Sequence, residues 1–198
     1  MINQKIEQKV AIGKSVIHGK GLFANQDFQS GEVVYQPTGR KVHANNVDWN
    51  SLGRDEYDNF LQIGSWKYLN ATEDTLFRYL NHSCDPNTGI KCATVRKGDE
   101  VIREIRGNIS FVAIKPIKRG EEVTFDYSTT MFEEMDEEPL PCKCRSTNCR
   151  RIIGDFKTVP KIIQRRYWNL GIAPSYVFGK STQKNPMLTI KTVPRDSS

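Results

Sequence analysis

The residues best suited to chemistry lie in one short stretch, residues 78–87 (RYLNHSCDPN). Five consecutive positions carry an amide, an imidazole, a hydroxyl, a thiol and a carboxylate: Asn81, His82, Ser83, Cys84 and Asp85. An unsatisfied buried polar group costs about 1–3 kcal/mol, so this cluster predicts a built site rather than a piece of apolar core. For residues 85–87 alone, an Asp-Pro-Asn turn with capping side chains is the favoured interpretation.

A second group is formed by cysteines. Cys142, Cys144 and Cys149 follow the pattern C-x-C-x4-C. Three thiolates are one short of a tetrahedral structural zinc site, and Cys84 can supply the fourth ligand. Cys92 lies in a strand-like run and is predicted to be a buried core thiol. Unrelated buried or reactive cysteines are the alternative, but three within eight residues favour a metal site.

Two further stretches can contribute to a site. Residues 120–127 (GEEVTFDY) read as a strand whose end presents Phe125, Asp126 and Tyr127. Residues 16–24 read as a β-type run broken by Gly19 and Gly21, which would let the backbone approach a ligand closely. A dinucleotide site is excluded here, because no long helix follows and no acidic residue stands about 20 positions on.

The elements that must position these residues are mainly short strands. Turn residues separate predicted strands at 31–35, 57–63, 66–69, 90–96, 101–105 and 110–114, with a hairpin after 90–96 and a break at Gly107. Helical periodicity comes late in the chain. Ile163, Tyr167 and Leu170 recur at helical spacing between Pro160 and Gly171, which predicts an amphipathic helix over 159–170.

Length and composition are those of one soluble domain with an appendage. The chain has 198 residues, of which 37% are hydrophobic and 26% charged. We expect no membrane partner, since no apolar run approaches about 18 residues and the polar start is unlike a secretory signal. Five unevenly placed cysteines suit a reducing compartment better than a disulfide scaffold.

Charge is distributed unevenly. Residues 1–138 hold 17 Lys and Arg against 21 Asp and Glu, whereas residues 139–198 hold 12 against 2. The basic C-terminal part can bind nucleic acid, and the acidic run Glu133 to Glu138 can attract a basic peptide. A solvated surface is the plain alternative for both.

In chain order, four motifs resemble those of the SET-domain protein lysine methyltransferases with a post-SET zinc segment. They are the glycine turn at 18–21, the central motif at 78–84, the strand at 122–127 and the cysteines at 142–149. The resemblance covers roughly residues 10–155. It implies a mostly β fold with few short helices, made of small curved sheets with a knot-like C-terminal threading. The implied parts are a SET domain (10–130), a post-SET zinc segment (139–155), a C-terminal helical extension (156–178) and a loose tail (179–198).

The resemblance also implies roles. S-adenosylmethionine would be the methyl donor and Tyr127 the catalytic residue. The implied cofactor contacts are His18, Gly19, Lys20, Gly21, Arg78, Asn81, His82 and Tyr127; Phe125 and Tyr127 would line a lysine channel, and Cys84, Cys142, Cys144 and Cys149 would hold zinc. In relatives a tyrosine two positions before the catalytic one limits the number of methyl groups. Phe125 stands there in this chain, so we expect di- or trimethylation.

The expected substrate is a basic protein such as a histone tail, with the acidic run near the substrate mouth. The expected location is cytoplasmic for a bacterial or viral-type protein, and nuclear for a eukaryotic or host-targeted one. One other function class stays open, a zinc-stabilised module of SET-like fold that binds nucleic acid or peptide without catalysis. A steep salt dependence of nucleic-acid affinity would favour that class.

Overall fold

The computed structural model describes residues 9–53, 56, 59–64, 66–72, 75–97, 100–131 and 140–177. The acidic run at 133–138 and the predicted loose tail at 179–198 lie outside the described residues. No helix in the described part of the chain is both long and apolar enough to cross a membrane.

The described residues are mostly β, as predicted, with short 3-10 turns and one longer α-helix, α1 (Lys161–Leu170). Their strands are β1 (Val10–Lys14), β2 (Lys20–Ala24), β3 (Val33–Tyr35), β4 (Arg40–His43), β5 (Phe60–Gly64), β6 (Lys67–Asn70), β7 (Asn81–His82), β8 (Thr88–Lys97), β9 (Glu100–Ala113), β10 (Glu122–Phe125), β11 (Leu140–Pro141) and β12 (Ile152–Ile153).

These strands form four small sheets with the orders β1-β2-β10-β7, β3-β9-β8, β4-β6-β5 and β11-β12. The first sheet is the one that matters for the site. Its strand β10 runs antiparallel to β2 and parallel to β7, with Thr124 opposite Asn81 and Phe125 opposite His82. This pairing brings the glycine turn at the start of β2, the Asn-His motif and the Phe-Asp-Tyr motif to the same end of this sheet.

The β8–β9 hairpin is confirmed, but the predicted break at Gly107 is wrong. Strand β9 continues from Glu100 to Ala113. The pairing shifts between Cys92 opposite Ile109 and Thr94 opposite Glu104, so extra residues of β9 bulge out at this point. Glycine within a strand often marks a bulge rather than an end, and a local turn pattern does not separate the two.

The main core lies between the sheets and contains the apolar faces of β2, β9 and β10. Leu22, Phe111 and Val123 are fully buried there, and Phe125 is 5% exposed. Cys92 is only partly buried and packs against this core, so it is less enclosed than predicted. A separate cluster around Trp49 and Tyr68 supports the β4-β6-β5 sheet.

Helix α1 confirms the helix predicted for 159–170. It ends at Gly171, whose φ of 61° permits the left-handed cap; the N–H groups of Gly171 and Ile172 donate to the carbonyls of Trp168 and Tyr167. The predicted apolar face is partly wrong, because Leu170 is 40% exposed. The chain reverses after Gly171, and Ile172 takes the buried place.

Candidate active site

Tyr127 lies two positions after the end of β10, and both its backbone N–H and its hydroxyl are hydrogen-bonded. It begins a 3-10 helix, Tyr127–Thr130, whose first turn is capped by the Asp126 side chain. The Tyr127 N–H donates to Nδ1 of His82 at 3.2 Å, and its hydroxyl donates to the carbonyl oxygen of Leu80 at 2.7 Å. The phenol is therefore fixed against the residue that precedes Asn81.

Aromatic rings line this edge of the core. The ring centroid of Phe125 lies 4.9 Å from that of Tyr127 and 5.0 Å from that of Phe111. The His82 ring meets Tyr127 edge to face at 5.3 Å. The structure thus brings Phe125 and Tyr127 together as the sequence predicted, with Phe111 as a support that local pattern did not indicate.

His82 is buried and neutral at pH 7, because burial lowers its pKa to about 4. Its Nδ1 accepts from Tyr127, so the proton resides on Nε2, which lies 3.3 Å from the Cys84 sulfur. The imidazole therefore joins the tyrosine to the cysteine cluster. Its role as a cofactor contact stays a prediction.

Asn81 binds the glycine turn. Its Nδ2 lies 3.3 Å from the His18 carbonyl, 3.0 Å from the Lys20 carbonyl and 2.7 Å from Oε1 of Glu122. The other carboxylate oxygen of Glu122 accepts from the Ser15 hydroxyl at 2.9 Å. Through Glu122, β10 thus contacts Ser15 before the turn and Asn81 beside it. The sequence alone did not predict this role for Glu122.

The two glycines of the turn are required for different physical reasons. Gly19 has a φ of 47°, in the left-handed region that glycine adopts without strain. Gly21 is buried against Glu122 and Asn81, and a Cβ there would overlap the Glu122 carboxylate. The side chains of His18 and Lys20 are exposed beside them. All four residues predicted to form a cofactor turn therefore lie next to Asn81.

Arg78 stands apart from this group. It lies in the 3-10 helix Phe77–Tyr79 with an exposed side chain, and its guanidinium carbon is 5.7 Å from the ring centroid of Tyr79. Its cofactor role also stays a prediction.

The four predicted zinc ligands converge. The sulfur atoms of Cys84, Cys142, Cys144 and Cys149 lie within 4.8 Å of one another, and those of Cys84 and Cys142 are 3.7 Å apart. A tetrahedral zinc ion with zinc–sulfur bonds of about 2.3 Å requires sulfur separations of about 3.8 Å. Strands β11 and β12 form the short hairpin that holds the loop with the last three cysteines.

Each sulfur has a backbone N–H near it. The backbone N–H of Arg150 lies 3.3 Å from the Cys84 sulfur, and the backbone N–H of Cys84 lies 3.5 Å from the Cys144 sulfur. The sulfurs of Cys142 and Cys149 are approached by the N–H groups of Cys144 at 3.5 Å and Arg151 at 3.3 Å. Burial raises the pKa of Cys84 to about 11. Four thiolates this close need a divalent cation, and the donor set fits zinc.

Three residues without an assigned role complete the site. The carboxylate of Asp126 accepts from Arg150 Nη2 at 2.7 Å and from the Tyr167 hydroxyl at 3.0 Å. Arg150 follows the last cysteine of the cluster, and Tyr167 lies on α1. Both lie beside motifs that the sequence identified, but their shared contact with Asp126 depends on how the C-terminal segment packs.

The family model described as SET domain matches residues 19–128. The chain belongs to the SET-domain family. It is 27% identical over 163 residues to histone-lysine N-methyltransferase trithorax of Drosophila virilis, covering 77% of this chain and 4% of that protein. It is 29% identical over 157 residues to histone-lysine N-methyltransferase ASHH3 of Arabidopsis thaliana, covering 77% of this chain and 40% of that protein.

One solved structure has a similar fold. The crystal structure of KRYPTONITE in complex with mCHG DNA and SAH superposes with a TM-score of 0.57 at 21% identity, covering 74% of this chain and 29% of the other. This SET-domain protein spans less than half the length of each of these three relatives.

Proposed function

We propose that this SET-domain protein transfers methyl groups from S-adenosylmethionine to lysine side chains of a basic protein, with a histone as the substrate class. The relatives named above are histone-lysine methyltransferases. The observation that carries the proposal is the joint placement of the Tyr127 hydroxyl, the Asn81–glycine turn contact and the Phe125 ring at one end of the same sheet.

Tyr127 is suited to align an incoming amine. Because its hydroxyl proton is donated to the Leu80 carbonyl, the phenol oxygen keeps its lone pairs as acceptors for an amine hydrogen. Holding the amine in one orientation supplies much of the acceleration of an in-line displacement. His82 fixes the tyrosine backbone and so contributes to this orientation.

The amine must also lose its proton. A free lysine has a pKa of about 10.4, and transfer into an apolar, aromatic environment disfavours its charged form. The rings of Phe125 and Tyr127 provide such an environment, and Phe111 supports Phe125 from behind. Ring faces also attract the cationic sulfonium group, which supplies the methyl group when the cofactor is bound.

The cofactor would be held by the turn at 18–21 together with Asn81, His82 and Arg78. Zinc would be held by Cys84, Cys142, Cys144 and Cys149. The metal has a structural role in this proposal, because all four ligand positions are protein sulfurs and none is open.

The experiment that tests the proposal replaces Tyr127 with phenylalanine. Methyl incorporation into histones from labelled S-adenosylmethionine should fall by at least about 100-fold while the fold and cofactor binding persist. Tyr68→Phe is the matched control, since Tyr68 is buried in the separate cluster around Trp49. Near wild-type activity of folded, cofactor-bound Tyr127→Phe would overturn the assigned role. An inactive wild type that still binds histone or nucleic acid would favour a binding module.

We further propose that the products are di- and trimethyllysine. Phe125 is 5% exposed and carries no hydroxyl that could hold a water molecule in the space needed for another methyl group. The acidic run at 133–138 would attract the basic substrate, and its neutralisation should raise the Michaelis constant at low salt.

The basic C-terminal part supports a second contact, with the DNA of a nucleosome. Between residues 140 and 177 the chain has eight Lys and Arg and one carboxylate, Asp155, which is buried. Exposed among them are Lys143, Arg145, Arg151, Lys157, Lys161, Arg165 and Arg166. A surface of this charge can bind phosphate, with the salt dependence that counterion release produces. Nuclear location follows from a histone substrate.

Charge reversal tests the DNA contact. Arg165→Glu should weaken nucleosome binding and reduce its salt dependence, while activity on a histone peptide stays unchanged. Lys118→Glu is the control, because Lys118 is 68% exposed, pairs with Asp27 and lies outside the basic C-terminal part. Equal effects of both variants would contradict a specific DNA-binding face.

A further inference from the structure

The Asp126 carboxylate is a meeting point of three elements. It is 1% exposed, and it accepts hydrogen bonds from Arg150 Nη2 at 2.7 Å, the Tyr167 hydroxyl at 3.0 Å and the Ser128 N–H at 3.1 Å. Arg150 belongs to the cysteine segment and Tyr167 to helix α1. Ser128 belongs to the 3-10 helix that begins with Tyr127.

Arg150 connects this carboxylate to the metal site through a single residue. Its N–H lies 3.3 Å from the sulfur of Cys84, and its guanidinium reaches both Asp126 and, at 3.3 Å, the Ser128 hydroxyl. Its side chain is 15% exposed, so the ion pair is largely shielded from solvent. A displacement of the cysteine segment would therefore move the cation that neutralises Asp126.

Tyr167 connects the same carboxylate to the C-terminal helix. The tyrosine is 1% exposed, and burial together with the nearby Asp126 charge keeps the pKa of its hydroxyl well above the usual value, so it stays a donor. The helix is anchored in turn by the cluster of Val112, Phe156, Val159 and Ile172.

Asp126 is in a position to transmit these contacts to Tyr127. It immediately precedes Tyr127 and caps the 3-10 helix by accepting from Ser128 N. The Ser128 hydroxyl is fixed separately by donating to the Gly154 carbonyl at 2.6 Å. The path of the backbone at Tyr127, and with it the direction of the phenol, depends on a carboxylate whose partners Arg150 and Tyr167 lie outside the residues matched as SET domain, 19–128.

We propose that Arg150 and Tyr167 are positioning residues for Tyr127, so that a hydroxyl of helix α1 and the guanidinium of Arg150 help to set the direction of the phenol through Asp126. The inference rests on the proposed methyltransferase function. Neither residue needs to touch substrate; each acts by holding Asp126. Loss of either partner leaves the buried carboxylate undersatisfied and lets the capped turn shift.

The test is Tyr167→Phe, which removes one hydroxyl and keeps the packing ring. We expect kcat on a histone peptide to fall about tenfold with both Michaelis constants within about twofold of wild type, because small misplacements of a reacting group are costly. Zinc content should stay at the wild-type level. Arg150→Lys, which retains the charge, should reduce kcat less than Arg150→Gln.

Tyr68→Phe is the matched control. Tyr68 is also a fully enclosed tyrosine, but it belongs to the separate cluster with Ala44 and Trp49 and not to the contacts of Asp126. Its replacement should leave kcat unchanged. The inference is overturned if folded, zinc-bound Tyr167→Phe keeps wild-type kcat, or if kcat falls equally in Tyr68→Phe. An inactive wild type would instead overturn the proposed function and this inference with it.

Discussion

The amide nitrogen of Asn81 lies 2.7 Å from Oε1 of Glu122, a residue 41 positions later in the chain. The same nitrogen reaches the carbonyl of Lys20, so one side chain joins β7, β10 and the glycine turn. Gly21 fits beneath this contact because it has no Cβ. The geometry of the turn therefore depends on a close approach that only glycine permits.

Gly21→Ala should weaken binding of S-adenosylmethionine by about tenfold or more. The new methyl group would displace Glu122 and break its hydrogen bonds with Ser15 and Asn81. Isothermal titration calorimetry measures the affinity. Gly31→Ala is the control: it lies outside the turn, no heavy atom lies within 4 Å of the place its new Cβ would take, and only the backbone strain of a positive φ remains, so it should leave the affinity unchanged. Equal affinity of Gly21→Ala and wild type would refute the role of the turn.

Replacing single cysteines should distinguish the zinc ligands from Cys92, the cysteine outside the cluster. We expect wild-type protein to contain one zinc ion per chain, Cys84→Ser to lose it and Cys92→Ser to keep it, since Cys84 belongs to the four-cysteine cluster and Cys92 does not. Elemental analysis of protein purified without chelator measures this content. A chelator should also increase amide exchange across residues 140–155, because metal binding and local folding are coupled. Zinc-free wild type with reduced cysteines would count against the site.

Phe125→Tyr should shift the products toward fewer methyl groups and leave the first transfer intact. The added hydroxyl lies beside Tyr127, whose ring centroid is 4.9 Å from that of Phe125, and it can anchor a water molecule in the space of a further methyl group. Mass spectrometry of a histone peptide at completion measures the product distribution. Monomethyllysine as the sole product of the wild type would contradict the expected di- or trimethylation.

Gly89→Ala should loosen the C-terminal extension. A Cβ at Gly89 would press against the Ile172 side chain, with its Cδ1 at 2.8 Å, where Ile90 N–H donates to the Ile172 carbonyl at 3.0 Å. Overpacking of this kind costs about 1–3 kcal/mol of unfolding free energy. Denaturant titration measures the loss. Combining Gly89→Ala with Ile172→Ala should cost less than the sum of the single changes, and strict additivity would show that the two sites do not meet.

The amino-acid sequence by itself singled out most of the residues that the structure brings together at the candidate site. Asn81, His82, Phe125, Tyr127 and the four clustered cysteines were all identifiable, because a polar cluster, a C-x-C-x4-C pattern and motif order are local properties of the chain. The C-terminal helix was predictable for the same reason, since its periodicity and terminal Gly171 lie within a few turns.

Tertiary structure alone decided how these parts are joined. Packing between distant segments makes Glu122 the partner of Asn81, and it makes Arg150 and Tyr167 the partners of Asp126. The same packing buries Ile172 rather than Leu170. A buried carboxylate must find donors, but which of many cations and hydroxyls reaches it is settled only when the sheets and helix close around a common core.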